Sequence, residues 1–590
     1  MKTKANLLLI AALSFVALAE PAKAQAPADM ILFNGKVLTV DRDFSIASTV
    51  VVKDGKILAV GGPDLASDYV APTRVDLRGR TLMPGFIDTH LHLIGFSHRQ
   101  VAVDQATSIT ELKAMVAAKA KALGPGEWVT GYGWDEALLA EKRVPTRADL
   151  DAAAPDNPVA LTRAGSHSIV GNSRAFAMAG ITAATPDPPS GLIERDAKGE
   201  PSGIIRERND LLTNLIVSDS PAEMRPSYIR SLKALLALGI TSFMEAWTSI
   251  DDEPAGKGGP AAGSPPAKGP SRHSYREFKS IYDEMGADLP RVALYIAYPG
   301  AERLKAFPHR TGDGDDRIKL GPIGETPFDG GFTGPTALTK ADYKGLPGFR
   351  GTAFMTEAEA TAMVETAAGL GWQLGIHAIG DQAIETMAGV YDSVLKTHPK
   401  TDHRWFLSHF TMLPSAATMD MLARDQVYAA AQPNFLYNLE GRYEATLEGD
   451  RLQHINPVAT PLKHGVKMVF GSDNLPIGPM VGLYVAVTRK GADGKVFGVE
   501  EAVSRADAIR FYTRDAAVLT WDETRKGSIE PGKFADLIVL DQDPMTVPAE
   551  ALLETRVDMT FVGGKLVFER RRAQTNSSPE RGGISPHKAA

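Results

Sequence analysis

Eight short apolar runs, separated by stretches long enough for a helix, constrain this chain more than any other feature of its sequence. They are Phe86–His90, Ile240–Glu245, Val292–Ala297, Arg317–Leu320, Gln373–His377, Trp405–Ser408, Val427–Ala431 and Lys467–Gly471. Runs of this length, apolar at nearly every position, read as parallel strands buried on both faces. Eight is the number that a closed (β/α)8 barrel needs. The expected fold class is therefore α/β, a TIM-like barrel over residues 83–520. The stretch from about 99 to 235 carries further strand candidates, Trp128–Gly133, Val159–Arg163, Leu192–Arg195 and Gly203–Arg206. It reads as an insertion that caps the barrel.

Both chain ends read as strands and turns. Near the start, Ile31-Leu32-Phe33 meets Asn34-Gly35, a hairpin signal, and Val50-Val51-Val52 leads through Asp54-Gly55 to Ile57-Leu58-Ala59-Val60. Near the end, Leu537-Ile538-Val539-Leu540 is followed by Met559–Val562, Gly563-Gly564 and Leu566-Val567-Phe568. Residues 25–82 and 521–570 are thus expected to form one composite β-sandwich. Residues 253–272 are rich in Gly, Pro and Ala and read as a flexible loop. The polar tail over 571–590 reads as disordered.

Lys2 and Lys4, the apolar stretch Leu7 to Ala19, and Ala22-Lys23-Ala24 together read as a secretory signal peptide over 1–24. Periplasmic or secreted localisation follows as an expectation. Later in the chain there is no run of the roughly 18 apolar residues that a membrane span needs, so no membrane association is expected after cleavage. The formal net charge of −7, with no long basic run, argues against nucleic acid as a partner. Cysteine is absent. A transition-metal site must then draw on the 13 histidines, on carboxylates or on a modified lysine.

The polar residues that end the runs carry the chemistry. His90 and His92 are two apart at the end of a strand, so both imidazoles face one side and can converge on one ion. Asp88 shares their parity and is a candidate ligand or a support for one. His377, His409 and Asp473 each close a further run. In a parallel barrel those ends form the rim where active sites are built. His98 fits no ligand position, and His273, His309, His398, His403, His454 and His464 neighbour turns or charges and read as surface groups.

These residues lie within motifs that resemble the amidohydrolase superfamily, and in particular its YtcJ-like branch, to which N-substituted formamide deformylases belong. The resemblance runs from about residue 29 to 568. It rests on Pro84–His92, Leu161-Thr162-Arg163 with Ser166-His167 and Asn172-Ser173, His377-Ala378-Ile379-Gly380-Asp381, Ser408-His409, Phe470-Gly471-Ser472-Asp473, and Gly527–Leu537. What it implies is a divalent metal centre, zinc foremost, of one or two ions. His90 and His92 would hold one ion, His377 and His409 the second, and Asp473 would touch metal and act as general base. Lys319 matches the position of a lysine that bridges both ions once carboxylated by CO2. A bare ammonium has no lone pair, so Lys319 can ligate only in that form. His167 matches a position that reaches substrate.

The chain departs from the branch after Lys319. The pattern Lys-Leu-Phe-x-Asp-Gly-Ser is replaced by Leu320-Gly321-Pro322-Ile323-Gly324-Glu325-Thr326. The Asp and Ser of the pattern are missing there, the neighbourhood of Lys319 is altered, and Glu325 is a candidate substitute. The function implied is hydrolysis of a non-peptide C–N bond of amide or formamide type in a small molecule, by a water whose pKa a cation lowers toward about 7. Two alternatives stand beside it: an esterase or lactonase using the same centre, and an exported binding or regulatory protein with a degenerate site. A homodimer is compatible with the sequence.

Overall fold

The computed structural model describes residues 25–571, apart from 94, 96, 137–138, 164–167, 189–190, 218, 251–272, 333–335 and 475. The expected signal segment, the loop at 253–272, the tail beyond Arg571 and His167 therefore lie outside the described residues. Among the described residues no helix is long and apolar enough to cross a membrane.

All eight apolar runs become strands of one parallel sheet: β1 (Phe86–Leu91), β2 (Ile240–Ser249), β3 (Arg291–Ile296), β4 (Ile318–Pro327), β5 (Leu374–Ala378), β6 (Phe406–His409), β7 (Tyr428–Ala431) and β8 (Lys467–Phe470). Each pairs in parallel with the next. The sheet curls until its first and last strands meet. There the Asp473 amide donates to the His90 carbonyl at 2.7 Å, and the buried Asp88 carboxylate accepts from the amides of His90 and Ser472 at 3.2 and 3.0 Å. The result is a nearly closed TIM-like barrel with helices outside it. Those helices follow the usual amphipathic logic. Asp381–Thr397 buries Ala383, Ile384, Met387, Ala388, Tyr391 and Val394, residues three and four apart on one face.

The barrel's interior is layered. At the amino-terminal end of the strands, the Ala516–Thr520 turn inserts Leu519 against Met244, Ala293, Tyr295, Phe406, Ala430 and Val469. Gln373 donates to the Leu519 carbonyl at 3.0 Å, and Arg404 to that of Val518 at 2.5 Å. That end is plugged, and the opposite end carries the histidines. The stretch 99–235 builds its own six-stranded sheet around Val129–Trp134, Val159–Arg163, Ser168–Gly171 and Pro201–Arg206.

The two chain ends share a sheet. Leu537–Leu540 pairs on one side with Val557–Val562 and on the other with Thr81–Pro84, which in turn pairs with Lys36–Leu38. Facing it is a four-stranded sheet holding Met30–Phe33 and Thr49–Lys53. Leu32, Val50, Val52, Leu82, Leu537, Val539 and Phe561 lie buried between the two. Asp54-Gly55 forms the tight hairpin expected of it, with φ of 50° and 72°. Asn34-Gly35 does not. Met30–Phe33 and Lys36–Leu38 lie in different sheets, so this dipeptide is a crossover. Asn34 takes the left-handed conformation (φ 58°) and its amide side chain donates to Asp76. A Cβ on residue 35 would stand 2.4 Å from Leu77 Cδ1, which leaves room only for glycine.

Barrel and sandwich are joined by a buried ion pair. Arg291, at the start of β3, donates to both oxygens of Asp536 at 2.7 and 3.1 Å, and each side chain is only 5% exposed. Its guanidinium also stacks over Phe534, 3.8 Å from the ring centre. Removing one partner of such a pair strands a buried charge. Arg291→Met should therefore lower the unfolding free energy by about 3–5 kcal/mol, read as a shift in the urea midpoint. A loss under about 1 kcal/mol would mean that this pair does not tie the two units together.

Candidate metal centre

Each histidine of the centre reaches the barrel rim because its strand ends there. His90 is the fifth residue of β1 and His92 follows its end; His377 is the fourth of β5 and His409 the last of β6; Asp473 stands three residues beyond β8. The structure brings all five together. His90 and His409 stack edge to face with centroids 4.7 Å apart, His377 and His409 at 4.3 Å, and His90 and His92 at 5.3 Å. Asp473 lies across the cluster, 3.6 Å from His92 Nε2, 4.0 Å from His90 Nε2 and 3.9 Å from His409 Nδ1. His90 and His409 are buried, while His92 and Asp473 form the more open side.

A sixth side chain completes the group. Glu325, near the end of β4, places Oε1 3.1 Å from His409 Nε2, 3.2 Å from His377 Nδ1 and 4.0 Å from His92 Nε2; its Oε2 is 3.8 Å from His90 Nε2. Three subsets could each hold an ion: His90, His92 and Glu325; His90, His409 and Asp473; and Glu325, His377 and His409.

Lys319 is not among them, which corrects the expectation from its sequence context. It sits at the other end of the same strand. Its ammonium donates to both oxygens of Asp522 at 2.8 and 2.7 Å and to the Thr520 carbonyl at 3.1 Å. The expected strand stopped at Leu320, which would have put Lys319 on the rim. The actual strand runs on to Pro327, so Lys319 belongs to the plugged end, roughly 20 Å of strand from Glu325. Asp88, instead of ligating, ties β1 to β8. His403 proves buried, donating or accepting at both ring nitrogens with the Asp425 carbonyl and the Trp405 amide. His98 lies apart, 3.2 Å from Asp219.

The bonding within the cluster fits a site for a cation. His90 Nδ1 and Nε2, Glu325 Oε2 and His377 Nε2 are buried atoms that find no hydrogen-bond partner among the described residues. Such orphans are costly unless something else satisfies them. Gln432 shows the same from another side. Its Nε2 donates to the Ala430 carbonyl, so its Oε1 accepts from His409 Nδ1 at 3.0 Å. In a neutral His409 the Nε2 lone pair then faces the Glu325 oxygen at 3.1 Å. Two acceptors that close need a proton or a cation between them, and a hydrogen bond on the far nitrogen is how metal-binding histidines are oriented.

The electrostatics agree. Burial is the largest influence on His90 and holds the ring neutral, its pKa pushed down to about 3 against the pull of Glu325. Burial also opposes charge on His377, but the adjoining Glu325 carboxylate outweighs it and lifts His377 to about 9. Burial favours a protonated Glu325, yet His409, His90 and His377 hold it well below the ordinary carboxylate range. Asp88, away from those rings, is pushed up to about 7 by burial. Three residues of the centre also hold left-handed backbone: His409 at φ 74°, Asp473 at 55° and Glu325 at 50°. For residues with a side chain this costs on the order of 1–3 kcal/mol each, and such strain gathers at functional sites.

Fold and centre together define a barrel hydrolase scaffold with imidazoles and carboxylates gathered at its open rim. The chain belongs to the amidohydrolase family, whose sequence profile matches residues 73–568. It is 29% identical to N-substituted formamide deformylase of Arthrobacter pascens over 92% of this chain and 98% of that one. It is 27% identical to the YtcJ amidohydrolase of Bacillus subtilis over 92% and 99%. Among solved structures, a metal-dependent hydrolase of Pyrococcus horikoshii shares the fold, with a TM-score of 0.66 and 24% identity over 88% of this chain and 99% of that one.

The placement of Lys319 carries a prediction. Asp522 is held ionised by Lys526 and Lys319 against the effect of burial. Lys319→Met removes one of those two cations and should cost about 1–3 kcal/mol of stability, visible as a lower melting temperature. An unchanged melting temperature would show that the Asp522 contact does not hold the plug in place.

Proposed function

We propose that the protein hydrolyses a C–N bond of amide or formamide type in a small molecule, using a divalent cation, zinc foremost, held by His90, His92, His377, His409 and Asp473 with Glu325. One observation carries this reading: side chains from five barrel strands converge at one rim and leave buried nitrogen and oxygen atoms without partners among the described residues. Imidazole and carboxylate are the ligand types that borderline divalent ions take. The chemistry such an ion supplies when bound is Lewis acidity and a water made acidic enough to ionise near neutral pH.

The chain's own residues divide the remaining work. Asp473, at the open side of the cluster, accepts the proton of the attacking water and returns it to the leaving nitrogen, the step that makes an amine able to depart. Gln432 fixes the orientation of His409, and Phe435 stacks on the same ring at 5.7 Å. Trp247, half-buried with its ring 5.8 Å from that of His92, gives the open side an apolar wall suited to the substituent on the nitrogen. The similarity to N-substituted formamide deformylase supports small N-substituted formamides as the first substrates to assay.

Asp473→Asn should lower kcat on such an amide by about 10²–10⁴-fold, the usual contribution of a positioned acid–base group. Chelation should abolish turnover and added divalent metal restore it. Full activity in the Asn variant, or turnover indifferent to chelation, would reject the reading. The loss in the Asn variant should be smaller on an ester analogue run in parallel, because an alcohol departs with less need of that proton than an amine does.

A further inference from the structure

We propose that Glu325 is a built-in carboxylate ligand standing where a carboxylated lysine would otherwise be needed, so that this centre loads with metal without CO2. The proposal rests on the metal-dependent reading above and sharpens it.

Three observations carry it. Glu325 lies within 4.0 Å of all four imidazoles, between the His90/His92 pair and the His377/His409 pair. Among the described residues it alone belongs to a candidate ion-binding subset with each pair. Lys319, the lysine to which the sequence pattern pointed, is spent on Asp522 at the far end of the barrel. The spacing also favours Glu325. In Lys-Leu-Phe-x-Asp-Gly-Ser the lysine precedes the Asp-Gly by four residues, and here Glu325 precedes Asp329-Gly330 by four. Asp329 is buried and accepts from the Ile379, Gly380 and Leu338 amides at 2.8–2.9 Å, anchoring the turn after β4.

A glutamate is shorter than a lysine carbamate, and the backbone makes up the reach. The strand is irregular at this point: the register with β5 shifts between Gly324 and Pro327, and Glu325 itself sits at φ 50°. The kink turns the short side chain into the cluster. A carbamate forms only when a neutral amine takes up CO2 and loses a proton, and it is reversible. A glutamate carboxylate is present from synthesis.

The test is metal uptake by the full-length chain. Chelator-stripped protein is reloaded with Zn²⁺ in CO2-purged buffer and in buffer with bicarbonate, and bound metal per chain is measured by elemental mass spectrometry. Equal uptake in both buffers is expected. Lys319→Met should take up as much as the parent, and Glu325→Gln should bind at least tenfold more weakly. Co²⁺ loading offers a second readout, because its visible absorption reports the ligand set and should change in Glu325→Gln but not in Lys319→Met. Uptake that requires bicarbonate, or that fails in Lys319→Met and survives in Glu325→Gln, overturns the proposal and leaves the hydrolase reading standing. A parent protein that takes up no metal in either buffer overturns both. The two-buffer comparison needs no variant, so bicarbonate-dependent uptake overturns the proposal even if Glu325→Gln does not fold.

Discussion

The seam between the first and last barrel strands is the constraint on which the rest depends. At that seam the Asp473 amide meets the His90 carbonyl, and Asp88 gathers the amides of His90 and Ser472. Without it the sheet would stay open, and His90 and His92 would lie far from Asp473. With it, residues hundreds of positions apart share one buried space. Asp88 is the least obvious contributor, because its buried carboxylate acts by holding two backbones together.

The centre is also a concentration of unfavourable local choices. Three non-glycine residues are left-handed, a carboxylate is buried, and two imidazoles have ring nitrogens with nothing to bond. Local rules fail in a folded protein mainly where something else compensates. The compensation here is rigid support: Leu519 fills the barrel from below, Gln432 and Phe435 fix His409, and the Asp329 carboxylate ties down the turn after β4.

Much of this was legible in the sequence, because buried parallel strands leave a strong trace. Each of the eight apolar runs is a barrel strand, and four histidines and an aspartate at their ends do converge. What the pattern concealed was length. Apolar content thins after Leu320, where glycines and a proline intervene, yet the backbone keeps pairing to Pro327. Stopping the strand early moved the rim by six residues and set Lys319 where Glu325 belongs. The Asp329-Gly330 pair downstream was the signal that could have corrected it. Asn34-Gly35 misled for a related reason: it records a left-handed turn, but whether the chain then returns to its own strand or crosses to another sheet depends on partners far away in sequence. His403 shows that charged neighbours do not guarantee exposure when both ring nitrogens find backbone partners.

The sheet shared by the two chain ends has a consequence for how the molecule is made. Met83 pairs with Ile538, and Lys36–Leu38 reaches the rest of that sheet only through Thr81–Pro84. During synthesis the early strands therefore expose an unsatisfied edge until Leu537–Leu540 has left the ribosome. The whole barrel must emerge between the two halves of this clasp, a high-contact-order arrangement that slows folding and lengthens the time an aggregation-prone edge is bare. Until Leu537–Leu540 pairs with Thr81–Pro84, the early half of the clasp keeps a bare strand edge.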